Sequence, residues 1–247
     1  MKNWHSEKIV IDDTNLDFSN DVPITELIKF FQMVTFKHSH IIGLDHSSMQ
    51  KNSNAFWIVT KIKVVPYSTI ESGDKVTLLT WTHVPGTVRA LRDGLIKKGN
   101  SIKAKFVAEW CCLDFETRRP RRISSISYPT LEMEKNKFLD VDFTNLKEQV
   151  EFSDYVYTRE IRSSDIDINN HTNNLKYNHI AFDALSVEDL KTISIKEYEI
   201  YFINESYEGD KIDVFKKKIK NQLYVEGRVE DKTIFRVVMK IKNKKES

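Results

Sequence analysis

The sequence predicts an α+β protein built from two successive modules, each with a helix laid across an antiparallel sheet. Three observations predict it. "GDKVTLLT" begins at Gly73 and "GDKIDVFK" begins at Gly209, a repeat at an offset of 136 residues. Both copies sit in the same order of elements, with a helical segment upstream and further strand-like segments downstream. Several of those segments alternate apolar and polar residues, as half-buried antiparallel strands do.

The first helix is read in "SNDVPITELIKFFQMVTF". Asn20 or Asp21 is placed to cap it and Pro23 suits its first turn. Ile24, Leu27, Ile28 and Phe31 follow at helical spacing. "AFWIVTKIKVV", "DKVTLLTWTHV", "VRALRDGLIKK" and "SIKAKFVAEWCCLDF" are strands, and "KKGN" is the turn between the last two. Both periodicities then fade. Modules are therefore expected at residues 1–122 and 148–247, with a connection over 123–147. The second module opens with a strand in "VEFSDYVYTREIR" and a helix in "NLKYNHIAFDAL". "SIKEYEIYFI", "DKIDVFKKKI", "QLYVEGRVE" and "TIFRVVMKIK" are its remaining strands.

Composition narrows the class. The chain has 247 residues, enough for a real core, and only seven glycines and five prolines, so it is not a loop-rich chain. A formal net charge of +2 gives no general attraction to nucleic acid. No apolar run reaches the length of a membrane span, and "MKNWHSEKIV" lacks a signal-peptide core, so a cytoplasmic protein is expected. Cys111 and Cys112 are adjacent and read as buried thiols rather than a disulfide or metal quartet.

The polar stretch "SDIDINNHTNNLKYNHIAF" carries the chemistry. Asp165, Asp167, Asn169, Asn170, His171, Asn173 and Asn174 crowd the approach to the second helix. Such side chains bond the backbone locally, so capping and turn formation is the simpler explanation. The first copy enters its helix through "DFSNDVPITEL", without any Asn-x-His, which argues that capping needs less. Glu205, at the strand end "FINESYEGD", corresponds to Thr69 at the 136 offset. It is a candidate general base, with Asn169 and His171 polarising a carbonyl. A metal site from Asp165, Asp167 and His171 is a weaker alternative. No nucleophile elbow, phosphate loop or H-E-x-x-H motif is present. Trp57, Trp81 and Trp110 read first as core, and "TRRPRR" as either a solvated linker or a receiver for an acidic partner.

"DIDINNHTNNLKY" resembles the signature of the acyl-acyl carrier protein thioesterases, approximately D-x-D-x-N-x-H-x-N-N-x-x-Y. "TWTHVPGTVRALRDG" resembles that family's Thr-Trp and Arg-rich strand pair, and "LDFETRRPRRI" its exit into the linker, so the likeness spans nearly the whole chain. The resemblance implies a double hotdog fold and hydrolysis of fatty acyl-carrier thioesters without a cofactor or metal. It implies a catalytic set of Asp167, Asn169, His171 and Glu205, with Asn173, Asn174, Tyr177, Trp57 and Trp81 at the substrate. The acyl chain would enter the first module. An acidic acyl carrier protein would dock transiently on Arg118, Arg119, Arg121 and Arg122, with Lys216, Lys217 and Lys218 as a second patch. A homodimer is compatible, and the setting would be the bacterial cytoplasm. Plant members carry a cysteine after the glutamate, where this chain has Ser206. A Cys–His–Asn mechanism is therefore not expected, and Glu205 acting on water is. An acyl-CoA or polyketide-type thioesterase and a non-catalytic acyl-binding module are the competing readings.

Overall fold

A computed structural model of the chain describes residues 1–132, 141–144 and 154–244. The chain divides into two compact units, Met1–Asp142 and Phe143–Ser247. Much of the expected connection, and the first residues of the strand expected from Val150, fall outside the described residues.

In the first unit the order is β1 (Trp4–Val10), α1 (Ile24–Ile41), α2 (His46–Ser53), β2 (Ala55–Pro66), β3 (Lys75–Thr82), β4 (Arg89–Lys98) and β5 (Ser101–Asp114). The strands pair antiparallel in the order β1-β3-β4-β5-β2. α1 buries Ile24, Leu27, Ile28, Phe31 and Val34 at helical spacing against this sheet. Each such side chain contributes about 1.5–3 kcal/mol. The helix comes close because β4 has Gly94 beneath it, where a Cβ would lie 2.5 Å from the Phe31 ring.

The cap predicted at Asn20 or Asp21 does not form. Pro23 is the N-cap residue and supplies no side-chain bond. Asn20 turns the chain at φ 58°, and the Asp21 carboxylate instead accepts from the N–H groups of Val22 and Ile70, at 2.8 Å each. Strand β1 and helix α2 were not anticipated. β1 lacks a clean apolar alternation, and α2, "HSSMQKNS", is almost entirely polar and buries only Met49 and Ser53.

The second unit repeats the plan with β6 (Tyr155–Glu160), α3 (Asn174–Phe182), α4 (Val187–Thr192), β7 (Ile193–Phe202), β8 (Lys211–Ile219), β9 (Gln222–Val229) and β10 (Lys232–Asn243). Its strand order, β6-β8-β9-β10-β7, matches the first unit element for element. Its helix differs: α3 has nine residues where α1 has eighteen. The chain leaves α3 at Asp183, and Ser186 caps the separate α4 through the Asp189 N–H. Gly227 on β9 makes room for a strand neighbour rather than a helix, the ring of Phe235 on β10 filling the place of its missing Cβ.

The first unit buries an uncommon set of polar groups beside α1. Arg92 Nη1 lies 2.7 Å from His38 Nδ1 and 3.4 Å from Thr80 Oγ1. His38 Nε2 is 3.3 Å from the Lys2 carbonyl oxygen, so that nitrogen donates and Nδ1 accepts from arginine. Burial and the Arg92 charge push the His38 imidazole down to about 4, and burial lowers Arg92 to about 10. Cys111 and Cys112 are buried free thiols, and burial pushes Cys112 up to about 11.

Candidate active site

Both units enter their helices through the same backbone turn. The Gly73 N–H donates to the Ile11 carbonyl and the Ile11 N–H to the Asp74 carbonyl, as Gly209, Ile161 and Asp210 do in turn, and both glycines have positive φ, 83° and 88°. Further on, the N–H of Asp17 donates to the Asp21 carbonyl at 3.0 Å, and that of Asp167 to the His171 carbonyl at 2.9 Å. The carboxylates of Asp17 and Asp167 each accept, at 2.8 Å, from the N–H two residues on, that of Ser19 and Asn169. Asn20 and Asn170 then both adopt the left-handed conformation, at φ 58° and 62°. Residues 17–21 and 167–171 are thus one loop built twice, at an offset of 150.

Side chains distinguish the copies. Where the first loop has Ser19 and Asp21, the second has Asn169 and His171. Where the first strand end has Thr69, the second has Glu205. Of these, His171 and Glu205 come together. His171 Nε2 is 3.3 Å from Glu205 Oε2, with the imidazole 20% and the carboxylate 38% exposed. Tyr207 joins them, its hydroxyl 3.3 Å from Glu205 Oε2 and its ring edge-on to the imidazole at 5.3 Å. An imidazole beside a half-exposed carboxylate is a pair able to take and return a proton at a bound substrate.

The other predicted residues divide sharply. Asp167 touches neither the Asn169 carboxamide nor the imidazole through any bond described; it shapes the loop backbone. Asn169 is exposed, and its carboxamide makes no hydrogen bond among the described residues. Asn173 is the N-cap of α3, its side-chain oxygen accepting from the Leu175 N–H at 2.9 Å. The Asn174 carbonyl accepts from the Asn178 side chain. Tyr177 points inward, where its hydroxyl meets Ser206 rather than solvent. Trp57 and Trp81 stand on opposite faces of the first sheet. Trp57 pairs with Cys112, which shares the α1 face with Gly94, whereas Trp81 pairs with Asp93 on the other face.

Asp165 is not poised for a metal. Burial alone would push its carboxyl up. The Arg162 N–H at 3.0 Å, with Arg159 and Lys176 at 3.1 and 3.4 Å, instead holds it below the ordinary range. In the first unit Asn15 and Glu26 occupy the places of Asp165 and Lys176 and are likewise bonded, at 3.1 Å. In the arginine patch, Arg121 is committed to the backbone of Ser53, Asn54 and Ser125, and Arg118 stacks over Phe56 at 5.3 Å. Arg119 and Arg122 are exposed.

Residues 2–127 match the family description "Acyl-ACP thioesterase N-terminal domain", and residues 146–246 match "Acyl-ACP thioesterase C-terminal domain". The chain belongs to the acyl-ACP thioesterase family. Among curated relatives, oleoyl-acyl carrier protein thioesterase 1 of Arabidopsis thaliana is 18% identical over 85% of this chain. An acyl-[acyl-carrier-protein] hydrolase of Cuphea viscosissima is 24% identical over 68% of it. The chain spans 62% of the length of the Arabidopsis relative and 43% of the Cuphea one. Among solved structures, an acyl-ACP thioesterase from Bacteroides thetaiotaomicron superposes with a TM-score of 0.80 at 19% identity, covering 97% of this chain and 98% of its own. The 12:0-ACP thioesterase of Umbellularia californica gives 0.79 at 16% identity, with 99% of each chain covered. The family fold is the double hotdog that the resemblance implied, and the two-module repeat agrees with it. No helix among the described residues is long and apolar enough to cross a membrane.

Sequence reading passed over Thr172 and Tyr207 and noted Ser206 only as standing where plant members carry a cysteine, and all three lie beside the His171–Glu205 pair. The polarity of Thr172 and Ser206 was open to detection. Aligning the copies at offsets of 150 and 136 places Val22 against Thr172 and Ile70 against Ser206, apolar residues against hydroxyls.

Proposed function

We propose that this chain hydrolyses fatty acyl thioesters carried on acyl carrier protein, with Glu205 as the base that activates water. The observation that carries this reading is the His171–Glu205 pair. His171 ends a loop and Glu205 follows a strand end that the fold also builds, without that pair, in the first unit. Glu205 takes a proton from water as the water oxygen bonds to the thioester carbonyl carbon. The tetrahedral intermediate then expels the thiol as the C–S bond breaks, and the proton returns to sulfur. His171, in contact with Glu205, holds the attacking water or the carbonyl, and Asn169 presents its carboxamide from the exposed loop. Asp167 contributes by fixing the loop that carries both. At the start of α3, the Asn173 N–H is bonded to the Asp165 carbonyl, while the Asn174 N–H makes no hydrogen bond among the described residues. That amide, at a helix N-terminus, is our assignment for the oxyanion donor.

Arg119 and Arg122 are the arginines of the linker patch available to an acidic carrier. The complex is read as transient and its setting as the bacterial cytoplasm. In the first unit, Trp57 is the one of the two predicted tryptophans on the α1 face, and we assign it to the acyl chain.

The test is thiol release from a panel of acyl-carrier and matched acyl-CoA thioesters, wild type beside Glu205→Ala and His171→Ala. Release from carrier substrates, cut at least about a hundredfold in both variants, supports the reading. Preference for CoA thioesters moves the substrate class, and no turnover by folded wild type leaves an acyl-binding module.

A further inference from the structure

Behind the His171–Glu205 pair lies a closed circuit of three buried hydroxyls. The Thr172 N–H and hydroxyl both donate to the Ser206 carbonyl, at 2.9 and 3.0 Å. Ser206 Oγ is 2.8 Å from Thr172 Oγ1 and 2.9 Å from the Tyr177 hydroxyl. The Ser206 N–H donates to that same Tyr177 oxygen at 3.1 Å. With the Thr172 proton spent on the carbonyl, Ser206 donates to Thr172 and Tyr177 donates to Ser206. Every hydroxyl then gives one bond and receives one. Exposure is 3%, 0% and 2% for Thr172, Ser206 and Tyr177, so no water substitutes for these partners cheaply.

The fold does not require these hydroxyls. At the equivalent places the first unit packs Val22, Ile70 and Leu27, buried to 5%, 2% and 4% exposure. There these three side chains are purely apolar, and the loop is tied to the strand end by the Asp21 carboxylate, which accepts from the Ile70 N–H at 2.8 Å. In the second unit a hydroxyl network replaces it beside the residues that differ between the copies. Thr172 follows His171 directly, and Ser206 follows Glu205 directly.

We infer that Thr172, Ser206 and Tyr177 form a positioning clasp that locks the His171 loop to the Glu205 strand end. Hydrogen bonds fix direction and register, whereas an apolar contact tolerates sliding, and small misplacements of reacting groups are costly. The inference rests on the hydrolase reading above. It also assigns Ser206 a role other than nucleophile, since its oxygen is fully buried and its proton is committed to Thr172.

The test opposes shape to hydrogen bonding at one residue. Thr172→Val keeps the shape used in the first unit and loses the hydroxyl, while Thr172→Ser keeps the hydroxyl and loses the methyl. The clasp predicts that kcat falls about tenfold or more in Thr172→Val with KM little changed, and that Thr172→Ser recovers most of it. Tyr177→Phe should follow Thr172→Val. Activity retained in Thr172→Val and Tyr177→Phe but lost in Thr172→Ser would make the cluster ordinary packing and overturn the inference. Wild type inactive on every thioester would sink the hydrolase reading instead. Crystal structures of Tyr177→Phe and Ser206→Ala then decide the clasp. A parted His171–Glu205 pair supports it, and an undisturbed pair overturns it.

Discussion

His171 Nε2 and Glu205 Oε2 stand 3.3 Å apart, one at the end of a left-handed turn and the other just past the end of β7. The carboxylate also lies within reach of the Tyr207 hydroxyl. Glu205→Gln keeps the size of the side chain and removes the proton acceptor. We expect thioester hydrolysis to fall by ~10²–10⁴ while acyl-carrier binding persists, measured by single-turnover thiol release and by direct binding. Near-wild-type turnover in Glu205→Gln would take that residue out of the chemistry.

Asp17 and Asp167 make the same bond in the two units, each accepting a backbone N–H two residues on at 2.8 Å. Asp17→Ala and Asp167→Ala should each lower stability by about 1 kcal/mol in denaturant titrations. Hydrolysis should suffer only in Asp167→Ala, because only that loop carries the His171 pair. Equal loss of turnover in both variants would show that global destabilisation, rather than loop geometry, governs activity.

Stability should fall on acidification through His38. The folded ring titrates at about 4, pushed down by burial and then by Arg92, whereas an unfolded chain takes up that proton near pH 6.5. Between those limits the unfolded state binds more protons. Stability from this group is therefore full above about pH 6.5 and drains away toward pH 4, by up to about 3 kcal/mol. His38→Gln, which retains an acceptor for Arg92, should flatten this part of the profile. Identical pH dependence in wild type and variant, followed by denaturant midpoints, would refute the assignment.

Gly94→Ala places a methyl 2.5 Å from the Phe31 ring and 3.1 Å from the Leu79 carbonyl oxygen. Helix α1 or the ring must shift, at a cost of about 1–3 kcal/mol. Combining it with Phe31→Leu should cost less than the sum of the single changes, a coupling read from a double-mutant cycle of thermal or denaturant midpoints. Strict additivity would mean that the ring moves freely out of the way.

How much of this was legible beforehand depended on periodicity. Nine of the ten described strands alternate or run apolar long enough to be read, and the Gly-Asp repeat fell on turns that share hydrogen bonds and positive φ. β1 and α2 escaped because their side chains carry little pattern. The α1 cap was misplaced because Asp21 has two backbone N–H groups to satisfy, one of them forty-nine residues away on the loop before β3. In the site, spacing and residue type pointed to His171 and Glu205. Neither could reveal that Asp167 acts through backbone, that Asn173 is consumed as a cap, or that Trp57 and Trp81 face opposite ways. Those facts depend on register and on which donor is nearest, and both arise only when distant segments meet.

The paired thiols of β5 supply a clock. Cys111 and Cys112 are shut inside the first unit, burial keeps both protonated well past neutrality, and no other cysteine competes with them. An alkylating reagent can reach them only when that unit opens, because the thiolate is the reactive form and the folded state withholds it. Labelling rate followed by mass then times the openings of one half of the protein while the half that carries His171 and Glu205 is left chemically untouched.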